Sequence, residues 1–301
     1  MCSVTDLEYR LLSQLAYFDE LTDELTEFQQ GKFFTCYELK DFNKTISRLN
    51  SELIQHNSEL INSIDLDKVL KRWKVLYSLQ GFMATERGRE VLNDVKEKNK
   101  LLDSFVFVKQ CFSFDGSDKQ HMVIAFRGTR PRWSRQLYPD LIENANTTNF
   151  KYFEKEKYQS DWAVSFYQLL SEKFGHNYEI SLTGHSKGGA LVQKVVLFAL
   201  QAMQKQVKGV TFSASGILQI VEKEETGMIN EEELKTYLNI CKNFTINGDN
   251  VINIIKALDR NNDTLYVGNH IELEHTSAGN PHRIASSFDK HFGEDEMLPK
   301  L

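Results

Sequence analysis

A ten-residue stretch with the sequence SLTGHSKGGA, at 181–190, constrains the fold of this chain more than any other part of it. It contains the pattern G-x-S-x-G around Ser186, and Tyr178 to Thr183 before it alternate like a short strand. After it, residues 190–204 carry apolar side chains at helical spacing. A serine between a strand and a helix predicts a tight, strained turn that exposes its hydroxyl. The alternative is a chance match in a glycine-containing turn.

Strands and helices alternate after residue 103. This order predicts a mostly parallel sheet with helices on both faces, which with the serine turn indicates an α/β-hydrolase. The expected strands cover about 105–114, 121–126, 178–183, 207–214, 241–247 and 265–273, with a hairpin turn at 115–118. The expected helices cover 161–173, 190–204, a polar segment up to about 240, and a terminal helix that begins at Pro281.

The first hundred residues are expected to be helical. Apolar residues spaced by three and four predict helices over 5–30, 38–64, 65–79 and 85–98. We therefore expect a helical N-terminal extension at 1–100, packed on or capping the core, and a catalytic domain at 101–301. The extension either only covers the sheet or also docks a protein partner.

Composition and charge limit which partners and which cellular compartment we expect for the protein. The 301 residues include 42 Asp and Glu against 36 Lys and Arg, a net charge of −6. No basic stripe with interleaved aromatics occurs, so a nucleic-acid partner is not expected. The four cysteines are scattered and predict reduced thiols. Neither a signal peptide nor an apolar run of about 18 residues is apparent, which favours a cytoplasmic protein or one exported without a cleavable signal.

Neither a metal nor a cofactor is expected. Two segments, 222–233 and 259–270, partly match a calcium-binding loop. The first has Glu222 at the first ligand position, and the second has Thr264 where a glycine is required. Both segments are therefore interpreted as solvated helix and turn.

Ser186 requires a base and an orienting acid, because a serine hydroxyl is a poor nucleophile at neutral pH. In α/β-hydrolases the three residues occur along the chain in the order Ser, then Asp or Glu, then His. Each lies near the C-terminal end of a strand. Asp249 is our choice of acid, since it follows the apolar residues 244–246 through an Asn-Gly turn. Asp259 and Asp263 lie in a polar cluster and have the character of turn residues.

Four histidines follow Asp249 in the chain and could supply the base: His270, His275, His282 and His291. His282 is preferred, because it opens the terminal helix and a short loop can carry it back over the sheet edge. His275 begins the loop after the last strand and is the second choice, whereas His270 lies inside that strand. His185, within the serine turn, lies on the wrong side to act as the base.

An oxyanion above Ser186 would need two hydrogen-bond donors. The backbone N–H of Lys187, at the start of the following helix, supplies the first. Thr129 ends an apolar strand and is positioned to supply the second through its N–H and its hydroxyl. Arg127, two residues earlier, is interpreted as a salt-bridged structural residue.

Several of these motifs together resemble the class 3 lipase family. They are AFRGT at 125–129, TGHSKGG at 183–189, LSQLAY at 12–17, and the later Asp249 and His282. The lysine after the serine is similar to a bacterial branch with a GHSKGG turn, although Ala190 and Leu191 follow where that branch continues Asn-Leu-Ala. The resemblance covers most of the chain from residue 101 on. It implies an α/β-hydrolase that cleaves acyl esters, often of lipids.

The resemblance also implies a mobile lid after the Arg-Gly-Thr strand, within residues 130–150. Trp133, Leu137 and Tyr138 partly match the tryptophan-rich lid of the family. With three arginines in the same stretch, they would cover an acyl pocket and make peripheral contact with a membrane. The alternative is an ordinary surface connection with Trp133 packed on the core.

The expected function is that of a serine carboxylester hydrolase, of lipase or phospholipase A type, acting on a lipid or other acyl ester. One alternative is a small-ester or thioester hydrolase without lipid preference. Another is a non-catalytic α/β-hydrolase scaffold that binds a partner through its N-terminal helices. The order Ser186, Asp249, His282 favours an enzyme, since a scaffold needs none of these groups.

Overall fold

A computed structural model of the chain describes residues 3–17, 34–35, 72–78, 104–109, 120–128, 159–214, 216–217, 239–250, 252–253, 266–275, 281–282, 284 and 288. The helices in these ranges are α1 (Asp6–Leu15), α2 (Gln159–Phe174) and α3 (Lys187–Met203). The strands are β1 (Phe34–Thr35), β2 (Trp73–Ser78), β3 (Ser104–Lys109), β4 (Gln120–Phe126), β5 (Tyr178–His185), β6 (Lys208–Phe212), β7 (Cys241–Ile246) and β8 (Asn269–Leu273).

The strands form one sheet in which they follow their order along the chain, from β1 to β8. Strands β1 to β4 pair antiparallel, and β4 to β8 pair parallel. Helices α2 and α3 flank β5 in the chain, as parallel neighbours require a crossover. The predicted α/β fold class with a mostly parallel sheet is confirmed.

Both faces of the sheet are buried, and the side chains alternate between them along each strand. On β3, Phe105 and Phe107 face the side that α1 covers, whereas Val106 and Val108 face the side of α2 and α3. Such burial on both faces explains why β3 is apolar at nearly every position. The helices thus cover the sheet from opposite sides.

Helix α1 begins with a capping box. The Thr5 hydroxyl accepts from the Glu8 N–H at 3.2 Å, and the Glu8 carboxylate accepts from the Thr5 N–H at 2.9 Å. The helix ends at Leu15, and Tyr17 follows in a turn. The single helix predicted over 5–30 is therefore interrupted after Leu15, and residues 18–30 of that prediction lie outside the described residues. The turn carries Tyr17 towards the end of β5, where it hydrogen-bonds.

The helix predicted over 65–79 is also wrong, because Trp73–Ser78 forms strand β2, paired with β3. Trp73 and Val75 face the α1 side of the sheet and Leu76 faces the other, across a bulge between Val75 and Tyr77. Because apolar residues of this strand are buried on both faces, they occupy adjacent as well as alternate positions, and this spacing imitates a helical one. Pairing and burial on both faces outweigh local helical preference here.

Other sequence predictions lie outside the described residues. They are the helices over 38–64 and 85–98, the hairpin turn at 115–118, the polar segment before residue 239, the calcium-like segment at 222–233, residues 259–265 of the second one, and most of the terminal helix. The division at residue 100 stays a prediction, although α1, β1 and β2 from the first hundred residues already join the sheet or pack on it. None of the helices described is long and apolar enough to cross a membrane.

Candidate active site

Ser186 occupies the turn between the end of β5 and the start of α3. Its backbone has φ 56° and ψ −127°, a conformation that a residue with a side chain rarely adopts. The Ser186 N–H donates to the Phe212 carbonyl at 2.9 Å, and its own carbonyl accepts from Gly189 at the same distance. A β-carbon on Gly184 would overlap the backbone of Gly188. The glycines therefore allow the strand and helix to approach closely enough to hold this strained turn.

Asp249 lies beyond the C-terminal end of β7. The turn that precedes it contains Gly248 with φ 81°, a left-handed conformation that suits glycine. The Asp249 side chain is almost completely buried, and its Oδ1 accepts from the Ile252 N–H at 3.2 Å. The predicted Asn-Gly turn thus aims a buried carboxylate along the C-terminal edge of the sheet.

His282 lies between Asp249 and Ser186. Its Nδ1 is 2.9 Å from Oδ2 and 3.1 Å from Oδ1 of Asp249, and its Nε2 is 2.9 Å from Ser186 Oγ. Because an ionised carboxylate can only accept, the imidazole proton belongs on Nδ1, and Nε2 is left to accept from the serine hydroxyl. The structure therefore brings the serine, the preferred acid and the preferred histidine into one hydrogen-bonded chain.

The pKa of Asp249 lies below its ordinary value. Burial alone would raise this pKa, but the hydrogen bond and the positive charge of His282, with the Ile252 N–H, lower it by more. Asp249 is therefore an anion at neutral pH. An anion beside His282 stabilises a positive charge that develops on the imidazole.

His185 makes contacts with both ring nitrogens. Its Nε2 is 2.7 Å from the carbonyl oxygen of His282, and its Nδ1 is 2.8 Å from the hydroxyl of Tyr17. Burial and the neighbouring His282 lower the pKa of His185 to about 3. His185 is consequently neutral at physiological pH and, as expected from the sequence, does not face the serine as a base.

Lys187, the first expected oxyanion donor, is the first residue of α3 and is buried. Thr129, the second, lies outside the described residues. Gly128, directly before it, is described, and a β-carbon on Gly128 would lie 3.2 Å from Ser186 Cβ. The Arg127–Gly128 backbone therefore passes beside the nucleophile, and Arg127 is buried there.

The two other described histidines that follow Asp249 lie in or directly after β8. His270 sits within β8, where its Nε2 is 2.7 Å from Thr245 Oγ1 and its ring stacks on Tyr266. His275 follows β8 and is exposed. Several other candidates lie outside the described residues: Asp259, Asp263, His291, Trp133, Leu137 and Tyr138.

No cluster of three or more His, Cys, Asp or Glu side chains that could hold a metal ion occurs in the part of the chain that the structure describes. Cys241 is a buried free thiol. Burial raises the pKa of Cys241 to about 12, so it is protonated and a poor ligand.

Tyr17 is the site residue that the sequence reasoning missed. The spacing of apolar residues instead predicts that Tyr17 belongs to a helix that continues to residue 30. The stretch LSQLAY at 12–17, which contributes to the class 3 lipase resemblance, ends on this tyrosine and was the available signal.

A serine on a strand–turn–helix elbow, at the C-terminal edge of a mostly parallel sheet, defines an α/β-hydrolase fold. A protein-family model described as Mbeg1-like matches residues 92–239 of the chain. Together these findings give the chain a class 3 lipase-like fold, which confirms the resemblance seen in the sequence at the level of the fold.

Three solved lipases are similar to this chain. A fungal lipase is 14% identical, with 94% of this chain and 83% of that chain covered and a TM-score of 0.47. The extracellular lipase LipA from Serratia marcescens is 18% identical, covers 62% of this chain and 29% of its own, and has a TM-score of 0.36. The Lip2 lipase from Yarrowia lipolytica is 12% identical, covers 66% of each chain, and has a TM-score of 0.32.

The chain spans under a third of the Serratia marcescens lipase and about two thirds of the Yarrowia lipolytica lipase. All three TM-scores lie below 0.5, so the substrates of these lipases do not define the substrate of this chain. No curated protein matches the chain.

Proposed function

We propose that the chain is a serine carboxylester hydrolase that acts on lipid acyl esters. The observation that carries this proposal is the hydrogen-bonded chain from Ser186 Oγ through His282 to Asp249, with contacts of 2.9 Å at both ends of the imidazole. A nucleophile with a base in reach, and a base held by an acid, is the arrangement that nucleophilic catalysis by serine requires.

In the proposed mechanism, Ser186 Oγ attacks the ester carbonyl carbon while its proton passes to His282 Nε2. Asp249 stabilises the imidazolium that results. The N–H of Lys187 and the N–H and hydroxyl of Thr129 receive the oxyanion of the tetrahedral intermediate. When that intermediate collapses, the alcohol leaves with the proton from Nε2, and the acyl group stays on Ser186. Water activated by His282 then releases the acid and restores the serine.

The strained backbone of Ser186 supports an enzyme over a non-catalytic scaffold. A conformation with φ 56° costs on the order of 1–3 kcal/mol for a residue with a side chain. A scaffold would gain stability from a glycine at this position and needs no buried carboxylate behind a histidine. Such strain clusters at functional sites, where it exposes a reactive group.

The lipid part of the proposal rests on different support. It comes from the resemblance to class 3 lipases and from the amphipathic character of residues 130–150 in the sequence. In this proposal, Trp133, Leu137 and Tyr138 contribute to substrate access, and the chain makes peripheral contact with a lipid surface.

The test of the ester hydrolase is the turnover of p-nitrophenyl butyrate by the full chain, with labelling by a fluorophosphonate. We expect Ser186→Ala to abolish both, and Asp249→Asn to lower kcat by roughly 10³- to 10⁴-fold because the amide favours the wrong tautomer of His282. Circular dichroism checks that the variants fold. Turnover that survives in a folded Ser186→Ala variant contradicts the proposal, and a folded wild-type chain without turnover or labelling favours the scaffold.

The test of the lipid preference compares phospholipid vesicles with the soluble short-chain ester, and mass spectrometry identifies the released acids. We expect hydrolysis of vesicle lipid that depends on Ser186. Turnover of the short-chain ester with no acid released from vesicles would instead favour a small-ester hydrolase.

A further inference from the structure

We propose that Tyr17 and His185 form a positioning pair that fixes the backbone of His282 beside Ser186, and that loss of either hydrogen bond lowers turnover without weakening substrate binding. This inference rests on the proposed function of Ser186 and His282 and assigns roles to two residues outside the serine–histidine–aspartate chain.

The first step is that His185 connects the two reacting groups, through its peptide bond to Ser186 and its hydrogen bond to the main chain of His282. His185 directly precedes Ser186, and its Nε2 lies 2.7 Å from the carbonyl oxygen of His282. The rings of His185 and His282 have centroids 5.0 Å apart. One short backbone segment thus carries the nucleophile and also holds the main chain of the base. A fixed main chain keeps His282 Nε2 within reach of Ser186 Oγ.

The second step is the protonation state of His185. A carbonyl oxygen can only accept, so the contact with His282 requires a proton on Nε2 of His185. The Nδ1 lone pair then accepts from the Tyr17 hydroxyl at 2.8 Å. The Tyr17 hydroxyl, which donates to Nδ1, therefore stabilises the tautomer of His185 that can hold His282. A neutral His185 also avoids repelling the imidazolium that forms on His282 during the reaction.

The third step is how Tyr17 reaches the site. The Ser13 hydroxyl on α1 lies 2.7 Å from Thr183 Oγ1 on β5, and Thr183 Oγ1 lies 3.2 Å from the Tyr9 carbonyl. These contacts bind α1 to the strand that ends in His185. Because α1 ends at Leu15, the turn that follows places Tyr17 against the serine elbow instead of along a longer helix.

Tyr17 also borders the other half of the site. A β-carbon on Gly128 would overlap the Tyr17 hydroxyl, so this hydroxyl packs directly against the Gly128 backbone. Gly128 immediately precedes Thr129, the proposed second oxyanion donor. The Tyr17 hydroxyl consequently lies between the Gly128 backbone, next to the proposed oxyanion donor, and His185, which holds the main chain of the base.

The first measurement is the effect of Tyr17→Phe on kcat and KM for p-nitrophenyl butyrate. Removal of the hydroxyl keeps the ring and leaves His185 Nδ1 without this donor. We expect kcat to fall roughly tenfold, with KM within about twofold of wild type. Assays are run well below the lowest melting temperature of the set, so that partial unfolding does not enter kcat. An unchanged kcat overturns the proposal.

The second measurement compares His185→Gln with His185→Met, two unbranched side chains of similar length. Glutamine keeps an N–H donor that can reach the His282 carbonyl, whereas methionine has none. We expect about a hundredfold loss of kcat in the methionine variant and a loss within about tenfold in the glutamine variant. Equal kcat in the two variants means that His185 only fills space, and this result overturns the proposal.

The third measurement does not depend on activity. In a chain labelled with ¹⁵N-histidine, His185 should show the neutral tautomer protonated on Nε2 from pH 5 to 8, assigned by the loss of its signals in His185→Gln. Tyr17→Phe should change these signals and those of His282. A proton on Nδ1 of His185, or its titration in this range, overturns the proposal. If the folded wild type has no turnover, the proposed hydrolase fails, and this measurement alone decides the positioning pair.

Discussion

Gly188 packs so tightly against Phe126 that a β-carbon at position 188 would overlap the Phe126 carbonyl oxygen. Helix α3 thereby meets the end of strand β4 with nothing but backbone between them. The contact brings the Arg127–Gly128 segment beside Ser186. It therefore fixes the distance between the proposed nucleophile and the strand end that precedes the second proposed oxyanion donor.

This contact predicts that Gly188→Ala strongly lowers turnover, because backbone atoms cannot move aside as a flexible side chain can. We expect kcat to fall by more than about 100-fold, since displacement of a positioned group by about 1 Å costs that much. Gly209→Ala is the matched control. The added β-carbon there would meet side chains, namely those of Cys241, Val192 and Val196 at 2.9 to 3.0 Å, which can shift. Esterase kinetics and thermal melts should show lower stability but retained kcat for Gly209→Ala; equal losses of kcat in both variants would contradict the prediction.

The backbone strain at Ser186 predicts that a glycine variant is more stable than an alanine variant at this position, the reverse of the usual order. Both Ser186→Ala and Ser186→Gly remove the hydroxyl, but only glycine adopts φ 56° without strain. We expect Ser186→Gly to have the higher free energy of unfolding, by about 1 kcal/mol, in urea denaturation. At the exposed Ser165 within α2, the same pair of changes should favour alanine by about 1 kcal/mol. If the alanine variant at position 186 is as stable as the glycine variant, the backbone of this turn is not strained and the prediction is wrong.

The sequence was sufficient to predict the elements around the serine. Strand β5, the turn and α3 each carry strong local signals, and the Asn-Gly turn before Asp249 marks a strand end. Helix α1 and strand β2 were not predicted correctly, because their limits depend on tertiary contacts. Tyr17 leaves the helical path to reach His185, and Trp73 joins the sheet through pairing with β3. Neither contact has a signature in the local spacing of apolar residues.

Trp73 also shows how distant segments fix α1. Its Nε1 donates to Glu8 Oε1 at 3.1 Å, and Lys109 Nζ lies 2.7 Å from Glu8 Oε2. Periodicity places Glu8 on the helix but says nothing about partners one hundred residues away. Polar contacts between residues so far apart along the chain were therefore not predictable from a single sequence.

The buried ion pair between Glu8 and Lys109 predicts a large loss of stability when one partner is removed. Both side chains are less than a tenth exposed, so Lys109→Met leaves a buried carboxylate without its cation. We expect the free energy of unfolding to fall by about 3 kcal/mol. The control is Lys242→Met, which breaks an ion pair of the same 2.7 Å length with Asp6, but Lys242 is 42% exposed and should cost about 1 kcal/mol or less. Similar losses in urea denaturation for both variants would contradict this account of burial.

The neutrality of His185 predicts how stability depends on pH. Burial and the charge of His282 lower the pKa of His185 from 6.5 to about 3. In the unfolded chain this histidine takes up a proton below about pH 6.5, whereas in the native chain it does not until about pH 3. The unfolded state therefore binds more protons in this window, so the free energy of unfolding falls as the pH falls from 6.5 towards 3.

His185→Gln removes this titration, so the variant should lose less stability on acidification than the wild type. Between pH 7.5 and 5, we expect the difference in free energy of unfolding between the two proteins to change by up to about 2 kcal/mol, with the wild type losing more. Above pH 7 the difference should be constant. The pKa of Asp249 lies below 3.8 in the native chain, so its contribution is lost only at lower pH and does not enter this range. Urea denaturation at half-unit pH steps measures both curves. Parallel curves would show that the native His185 accepts a proton as readily as the unfolded one, and that the ring is not held neutral between Tyr17 and the His282 carbonyl.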